Sequence, residues 1–254
     1  MSGSLVSRLP NTFEPINCST NPLVQTLLKQ LNGLLNQASD PELVERFVRT
    51  KTSQLQYVGV STRRIRQILP SIDHVRNWPM KDQLKAWDAI VHSTSTFEHI
   101  SCALEFFRPP NCPITLLHRE MFLSWGKLID NWDHSDSLSR ILSYLLEDEF
   151  VHQNMFPGPI YSTLDNWSKA NGPWLQRLSI VSLKHYGGDD CIFLPPPTML
   201  SVVNALLDSR FASVQAAIGW VLRDLAKVHP KEVEDFIASN SERLSSLALR
   251  KYDR

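Results

Sequence analysis

The chain has 254 residues, of which 43% are hydrophobic and 20% are charged. This composition excludes general disorder and suits one large domain or two small ones. Its 26 basic and 26 acidic residues give a formal net charge of +0 at pH 7. Because there is no overall basic excess, any site for a polyanion must come from local segregation of charge.

The predicted elements are helices, separated by prolines and polar turns along almost the whole chain. Residues 1–20 lack periodicity and are predicted to form an N-terminal arm. Helices begin after Asn21-Pro22, and again after Asp40-Pro41, where proline follows a capping residue. Ser61 is expected to cap the short basic helix TRRIRQIL. Further helices are predicted near 81–93, 96–107, 114–130, 137–150, 159–169, 174–185, 197–207, 213–228, 230–238 and 241–251.

These helices predict an all-α fold with a single domain over residues 21–254. Strand alternation is nearly absent, and the run 57–60 is too short to change the class. Short amphipathic helices must stack to bury their apolar faces, which favours an α-solenoid of about six HEAT-like antiparallel pairs with a concave, partly basic surface. A compact helical bundle is the alternative, because the repeats share no clear consensus.

Basic residues are segregated along the sequence. The stretch from 46 to 72 contains no carboxylate, and neither does the stretch from 166 to 188. Both are candidates for contacts with a polyanion, although basic faces exposed to solvent have the same composition. The basic residues of the two stretches are Arg46, Arg49, Lys51, Arg63, Arg64 and Arg66, and then Lys169, Arg177 and Lys184.

Two predicted helical segments contain residues that a simple packing helix would not need. Trp132 and Asp136 are four residues apart, so on a helix they share one side. The structural alternative is that Ser135 or Asp136 caps the helix that follows. Gly219 interrupts a helical pattern at a cost of about 1 kcal/mol relative to alanine, which indicates a close approach of backbone or of another group.

Three short motifs occur in an order that resembles the AlkD-like DNA alkylation repair family, the DNA glycosylases built of HEAT-like repeats. They are Trp132-x-x-x-Asp136, Trp174-x-x-Arg177 and the heptapeptide IGWVLRD that contains Trp220. The similarity extends over roughly residues 40 to 250. Asn131 stands where many family members have a second tryptophan next to the first.

The resemblance implies excision of positively charged N3- and N7-alkylpurines from double-stranded DNA during base excision repair. By position, it assigns Asp136 as the active-site carboxylate and Trp132 and Trp220 as the tryptophans that face the sugar. It assigns Arg177 to a backbone phosphate. Arg63, Arg64, Arg66 and Lys184 are further candidates for DNA contacts.

The sequence also limits the other functions. It has no phosphate-binding glycine loop, no metal-ligand spacing and no long apolar segment, so we expect no cofactor, metal or membrane contact. A monomer in the cytoplasm, or in the nucleus of a eukaryote, is expected. A non-catalytic protein that binds damaged or distorted DNA, and a protein-interaction scaffold, are the two alternative functions.

Overall fold

The structure is a computed structural model that describes residues 21–110, 112–186 and 191–253. The predicted N-terminal arm, residues 1–20, lies outside the described residues. The described segments contain thirteen α-helices, and their one β pairing is an isolated bridge between Gln56 and Thr96. The prediction of an all-α fold is therefore confirmed.

The α-helices are short and follow one another without long interruptions. Their bounds are α1 Pro22–Ala38, α2 Pro41–Thr50, α3 Thr62–Ile68, α4 Met80–Ser93, α5 Phe97–Phe106, α6 Arg119–Gly126, α7 Trp132–Glu147, α8 Pro159–Ser168, α9 Pro173–Val181, α10 Pro196–Leu206, α11 Ala212–Ala226, α12 Pro230–Ser239 and α13 Ser246–Tyr252. Two 3₁₀ segments, Leu69–Asn77 and Leu116–His118, and one π-helical turn, Asp148–His152, complete the described secondary structure.

The helices form two layers. In the first, which we call the front layer, α3, α5, α7, α9, α11 and α13 each pack against the next. In the back layer, α4, α6, α8 and α10 pack in the same successive way, and each also packs against the front-layer helix that follows it in the chain. This is an α-solenoid of HEAT-like helix pairs, in which each pair completes its core with its neighbours.

Local sequence signals explain where many of these helices begin. Proline occupies the first turn of α1, α2, α8, α9, α10 and α12, where its missing N–H costs nothing. The side chain of Asp40 accepts hydrogen bonds from the first turn of α2, and Ser61 accepts one from the amide of Arg64. Both predicted caps are confirmed.

Four predicted helix boundaries are wrong. The helix predicted over 241–251 begins only at Ser246. The helix predicted over 137–150 begins at Trp132, because the Asn131 side chain caps it and the polar residues that follow are buried. The helix predicted over 114–130 is a 3₁₀ turn followed by the shorter α6. α9 ends at Val181 instead of continuing to residue 185, and Lys184 beyond it turns inward toward Asp224 of α11.

Gly219 lies where two front-layer helices touch. A Cβ atom at this position would clash with the backbone carbonyl oxygen of Ala248 in α13, and it would also crowd Lys251. The sequence indicated a close approach at Gly219, and the structure identifies it as backbone packing between α11 and α13. No helix in the described part of the chain has both the length and the apolarity needed to cross a membrane.

Candidate active site around Asp136

Asp136 lies in the second turn of α7, and it is not a helix cap. The cap is Asn131, whose side-chain oxygen accepts a hydrogen bond of 2.9 Å from the amide of His134. Asn131 is fully buried, and hydrogen bonds with Asp130 and His134 satisfy its side-chain amide. Because α7 already begins at Trp132, Trp132 and Asp136 are one turn apart on the same side of the helix.

The carboxylate of Asp136 forms an ion pair with Arg177 of α9. Nε and Nη2 of Arg177 donate hydrogen bonds of 3.0 and 2.7 Å to Oδ1, and Nη1 donates one of 2.7 Å to the backbone oxygen of Ser213. Burial raises the pKa of Asp136, whereas the charge and hydrogen bonds of Arg177 act to lower it. Both bonds from Arg177 end on Oδ1, which leaves Oδ2 outside the ion pair.

Tyr186 is the site residue that the sequence analysis did not identify. Its hydroxyl group donates a hydrogen bond to Asp136 and lies 2.9 Å from the hydroxyl of Ser139. Its ring meets Trp220 edge-on, with 4.8 Å between the ring centroids. Burial, and then the charge of Asp136, raise the pKa of Tyr186, so it remains a neutral hydrogen-bond donor. Tyr186 lies five positions after Val181, where α9 ends, and no motif in the sequence marks it.

Tyr186 thereby connects Asp136 to Trp220. Arg177, Tyr186 and Trp220 come from α9, the segment after it and α11, so three successive parts of the chain meet at the carboxylate on α7. Of the residues selected from separate motifs, Arg177 bonds to Asp136 directly and Trp220 is linked to it through Tyr186. Trp132 lies one helical turn before Asp136 on α7.

Lys184 is not at the surface. Its side chain is 0% exposed, and its ammonium group lies 2.9 Å from the carboxylate of Asp224 and 4.0 Å from the centroid of the Trp220 ring. Burial lowers the pKa of Lys184, while the hydrogen bond and charge of Asp224 oppose this effect. A phosphate cannot reach an ammonium group in this position. The prediction that Lys184 contacts DNA is therefore wrong, and the buried lysine instead supports the Trp220 ring.

A second lysine supports Trp132 in a similar way. The ammonium group of Lys51 lies 5.5 Å from the centroid of the Trp132 ring and 4.9 Å from that of Phe97, and it forms an ion pair with Asp133. The Trp132 ring nevertheless remains 48% exposed. Lys51 thus belongs to the packing around the start of α7 and does not form part of an open basic surface.

His134, which is close to Asp136 in sequence, faces away from it. The imidazole is buried and stacks on Phe97, with 4.1 Å between ring centroids, and its Nε2 lies 2.9 Å from the hydroxyl of Ser101. Burial lowers the pKa of His134 to about 3. The neutral ring therefore joins α7 to α5 and is not placed to tune the carboxylate.

The three arginines of α3 are all exposed, but they differ in their partners. Arg66 donates two hydrogen bonds, 2.7 and 2.8 Å long, to the carboxylate of Glu105 in α5. Arg64 contacts Gln67 on its own helix. Arg63 and Arg66 are three residues apart and so share one side of α3. Among the described residues, Arg66 is the one arginine of α3 that bonds to the neighbouring front-layer helix, α5.

Comparison with known proteins agrees with this architecture. The family model described as DNA alkylation repair enzyme matches residues 31–251. A solved structure described as a predicted DNA alkylation repair enzyme from Enterococcus faecalis is similar to this chain, with a TM-score of 0.64 and 16% sequence identity over 85% of this chain and 95% of the other. A comparison with curated protein sequences gave no match. Since the family model spans most of the chain, this protein belongs to the DNA alkylation repair enzyme family and has a role in the repair of alkylated DNA.

Proposed function

We propose that this protein is a DNA glycosylase that removes N3- and N7-alkylated purines from double-stranded DNA. The observation that carries the proposal is the position of Asp136, a partly buried carboxylate on the front layer, with Trp132 one helical turn before it and Trp220 linked to it through Tyr186. Its side chain is 22% exposed, so a substrate can reach it. Membership of the repair family supports alkylated DNA as the substrate.

Excision of an alkylated purine requires a carboxylate to stabilise the sugar, but it requires no general acid to protonate the departing base. An alkylated purine carries a positive charge, so when the N-glycosidic bond breaks, the bonding electron pair neutralises the departing base. The deoxyribose becomes oxocarbenium-like, as a sugar does in glycoside hydrolysis. Water then adds to C1′ and loses a proton, which leaves an abasic site.

The protein groups would stabilise the cationic sugar electrostatically. Oδ2 of Asp136 lies outside the ion pair with Arg177 and would face the sugar, while Arg177 and Tyr186 hold the carboxylate in one orientation. Such preorganised groups act without reorganisation when charge develops. Asp136 would also orient the attacking water.

The two tryptophans contribute unequally in this scheme. A ring face can stabilise a cation by about 0.5–2 kcal/mol. The ammonium group of Lys184 already lies over the Trp220 ring, whereas nearly half of the Trp132 surface is open. Trp132 would therefore supply most of the cation–π stabilisation, and Trp220 would mainly shape the site.

The test is single-turnover release of base from a duplex with one N7-methylguanine. We expect Asp136→Asn to slow release by about 10²–10³-fold, the range found when one preorganised electrostatic group is removed. The matched control is Asp165→Asn in α8 of the back layer, whose carboxylate pairs with Lys169, and it should release base at the wild-type rate. Wild-type release no faster than spontaneous depurination would refute the enzymatic proposal.

One observation favours the non-catalytic alternative. The ion pair between Asp136 and Arg177 neutralises much of the charge that catalysis requires. If the protein binds methylated duplex with strong salt dependence but releases no base, recognition of damaged DNA is the function. If it has no affinity for DNA at moderate salt, the protein-interaction scaffold is the better account.

A further inference from the structure

Arg140 has no hydrogen-bond acceptor for its side chain among the residues that the structure describes. It follows Asp136 by four residues on α7, so both side chains leave the same side of the helix about 6 Å apart along its axis. Its guanidinium carbon lies 4.3 Å from the centroid of the Tyr186 ring. Within the described ranges, none of its five N–H groups donates to a protein atom. Such a planar set of donors is suited to an external anion.

Two more arginines lie near Arg140 and share a single carboxylate. Glu105, at the end of α5, accepts both hydrogen bonds from Arg66, and its Oε2 lies 3.5 Å from Nη1 of Arg108. Burial lowers the pKa of Arg140, and the positive charges of Arg108 and Arg66 lower it further. Two guanidinium groups thus share one carboxylate, and the charge of Arg140 lies close enough to be affected by all three. Bound anions would relieve the repulsion among the three arginines.

These arginines lie on or next to three successive helices of the front layer. Arg66 comes from α3, Arg108 from just after α5, and Arg140 from α7, and the side chains of Arg66 and Arg108 are 47% and 32% exposed. Axes of packed helices are about 8–10 Å apart, so three of them extend over roughly 20 Å. A chain of phosphates fits this length better than one free phosphate ion does.

We propose that Arg66, Arg108 and Arg140 form a track for consecutive phosphates of the lesion-containing DNA strand, in which Arg140 holds the phosphate next to the lesion sugar. The proposal rests on the proposed function for the location of that sugar at Asp136. The rise along α7 from Asp136 to Arg140 is comparable to the distance between a deoxyribose and its own phosphate.

The track takes over the role that the family resemblance assigned to Arg177. The side chain of Arg177 is only 9% exposed, and Nε, Nη1 and Nη2 all donate to Asp136 or Ser213. Arg177 is therefore a positioning residue for the carboxylate. Arg140, which has no such bonds, contacts the phosphate.

The experiment measures binding to a short duplex that contains a stable abasic-site analogue, so that no base release is needed. Affinity is measured over a series of NaCl concentrations. Each phosphate contact contributes close to one unit to the slope of log K against log salt. We expect Arg140→Gln and Arg108→Gln each to lower this slope by about one and to weaken binding, while Arg140→Lys retains the slope.

Two further arginine variants serve as controls. Arg119→Gln removes the same charge from the back layer, and Arg177→Gln removes it from the ion pair, and both should leave the slope unchanged. Wild-type slopes for both Arg140→Gln and Arg108→Gln would overturn the proposal. Arg108 lies beyond the end of α5 and outside any helix, so its variant keeps the test valid if Arg140→Gln does not fold, which thermal unfolding will show.

Competition separates DNA from free phosphate. We expect inorganic phosphate to reduce DNA binding only as much as NaCl of equal ionic strength does. Stronger competition that depends on Arg140 would identify a site for the free ion and overturn the DNA track. Because these measurements use no reactive base, loss of salt slope without any base release would refute the glycosylase proposal alone.

Discussion

Two hydrogen bonds from Arg177, 3.0 and 2.7 Å long, end on the same oxygen atom of Asp136. This one-sided geometry fixes the carboxylate and leaves Oδ2 without a bond from the guanidinium group. It also couples the ionisation of Asp136 to the presence of Arg177, since burial raises the pKa of the carboxyl group and Arg177 opposes that rise.

The pH dependence of base release should therefore change when Arg177 is replaced. Catalysis requires ionised Asp136, so activity falls as the pH drops through its pKa. Arg177→Gln removes the group that lowers this pKa, and we expect the acidic limb of the single-turnover profile to move to higher pH. Arg177→Lys, which retains a positive charge, should move it less. An acidic limb at the same pH in all three proteins would show that Asp136 does not control the rate.

Lys184→Met should reduce base release and leave the salt dependence of DNA binding unchanged. The buried ammonium group supports the Trp220 ring and cannot reach a phosphate. Breaking a buried ion pair costs about 3–5 kcal/mol when a charge is left alone. We expect a smaller loss here, because Asp224 keeps the hydrogen bond from Lys227. Denaturant unfolding measures this loss of folding free energy.

The matched control for this prediction is Lys227→Met. Lys227 pairs with the same carboxylate, but its side chain is 62% exposed, so its contribution to stability is that of a surface pair, about 0–1 kcal/mol. If Lys184→Met lowers the salt slope of DNA binding, Lys184 contacts phosphate after all.

Gly219→Ala should destabilise the fold by about 1–3 kcal/mol, the usual cost of inserting a methyl group into a packed contact. The new Cβ atom would meet backbone of α13, which cannot rotate away as a side chain does. Gly33→Ala in α1 is the control, because nothing lies within 4 Å of its added Cβ. It should raise stability by up to about 1 kcal/mol through helix propensity. Equal changes for both variants in urea unfolding would contradict the close packing of α11 and α13.

Acid should destabilise the protein before its carboxylates titrate. Burial lowers the pKa of His99 to about 4 and that of His134 to about 3, from an ordinary value of 6.5. Between these limits the unfolded chain binds more protons than the folded one, so stability falls as the pH falls from 6.5. The slope approaches about 1.4 kcal/mol per pH unit for each histidine.

The charged groups near His134 are Asp130 and Lys51, and His99 is held by Asn32 and Thr94. The double variant His99→Gln and His134→Gln should flatten the dependence of the unfolding free energy on pH between 6.5 and about 5. A slope that persists in the double variant would assign the effect to other groups.

Much of the fold follows from local signals. Asp40, Ser61 and the prolines at first helical turns determine where helices begin because a cap or a proline acts on the nearest turn. The spacing of Trp132 and Asp136, and the order of the three motifs, were enough to select most of the residues that meet at the site. The start of α7 was predicted incorrectly because His134 looks like a turn residue until Ser101 and Phe97 of α5 bury it.

Charge is where sequence and structure differ most. The basic stretch from 166 to 188 has no carboxylate in sequence, yet Lys169, Arg177 and Lys184 form ion pairs with Asp165, Asp136 and Asp224. Asp165 precedes Lys169 by one helical turn, but Asp136 and Asp224 come from distant parts of the chain, and only tertiary folding brings them to Arg177 and Lys184.

The sequence by itself thus determined the helical architecture and the family, because helix caps, prolines and apolar spacing act over a few residues. Only the tertiary structure decided which basic groups are free, since an ion pair depends on distance in space and its partner can come from any part of the chain. By that measure Arg140, which no motif identified, is available to an anion, while Arg177 and Lys184 are already engaged.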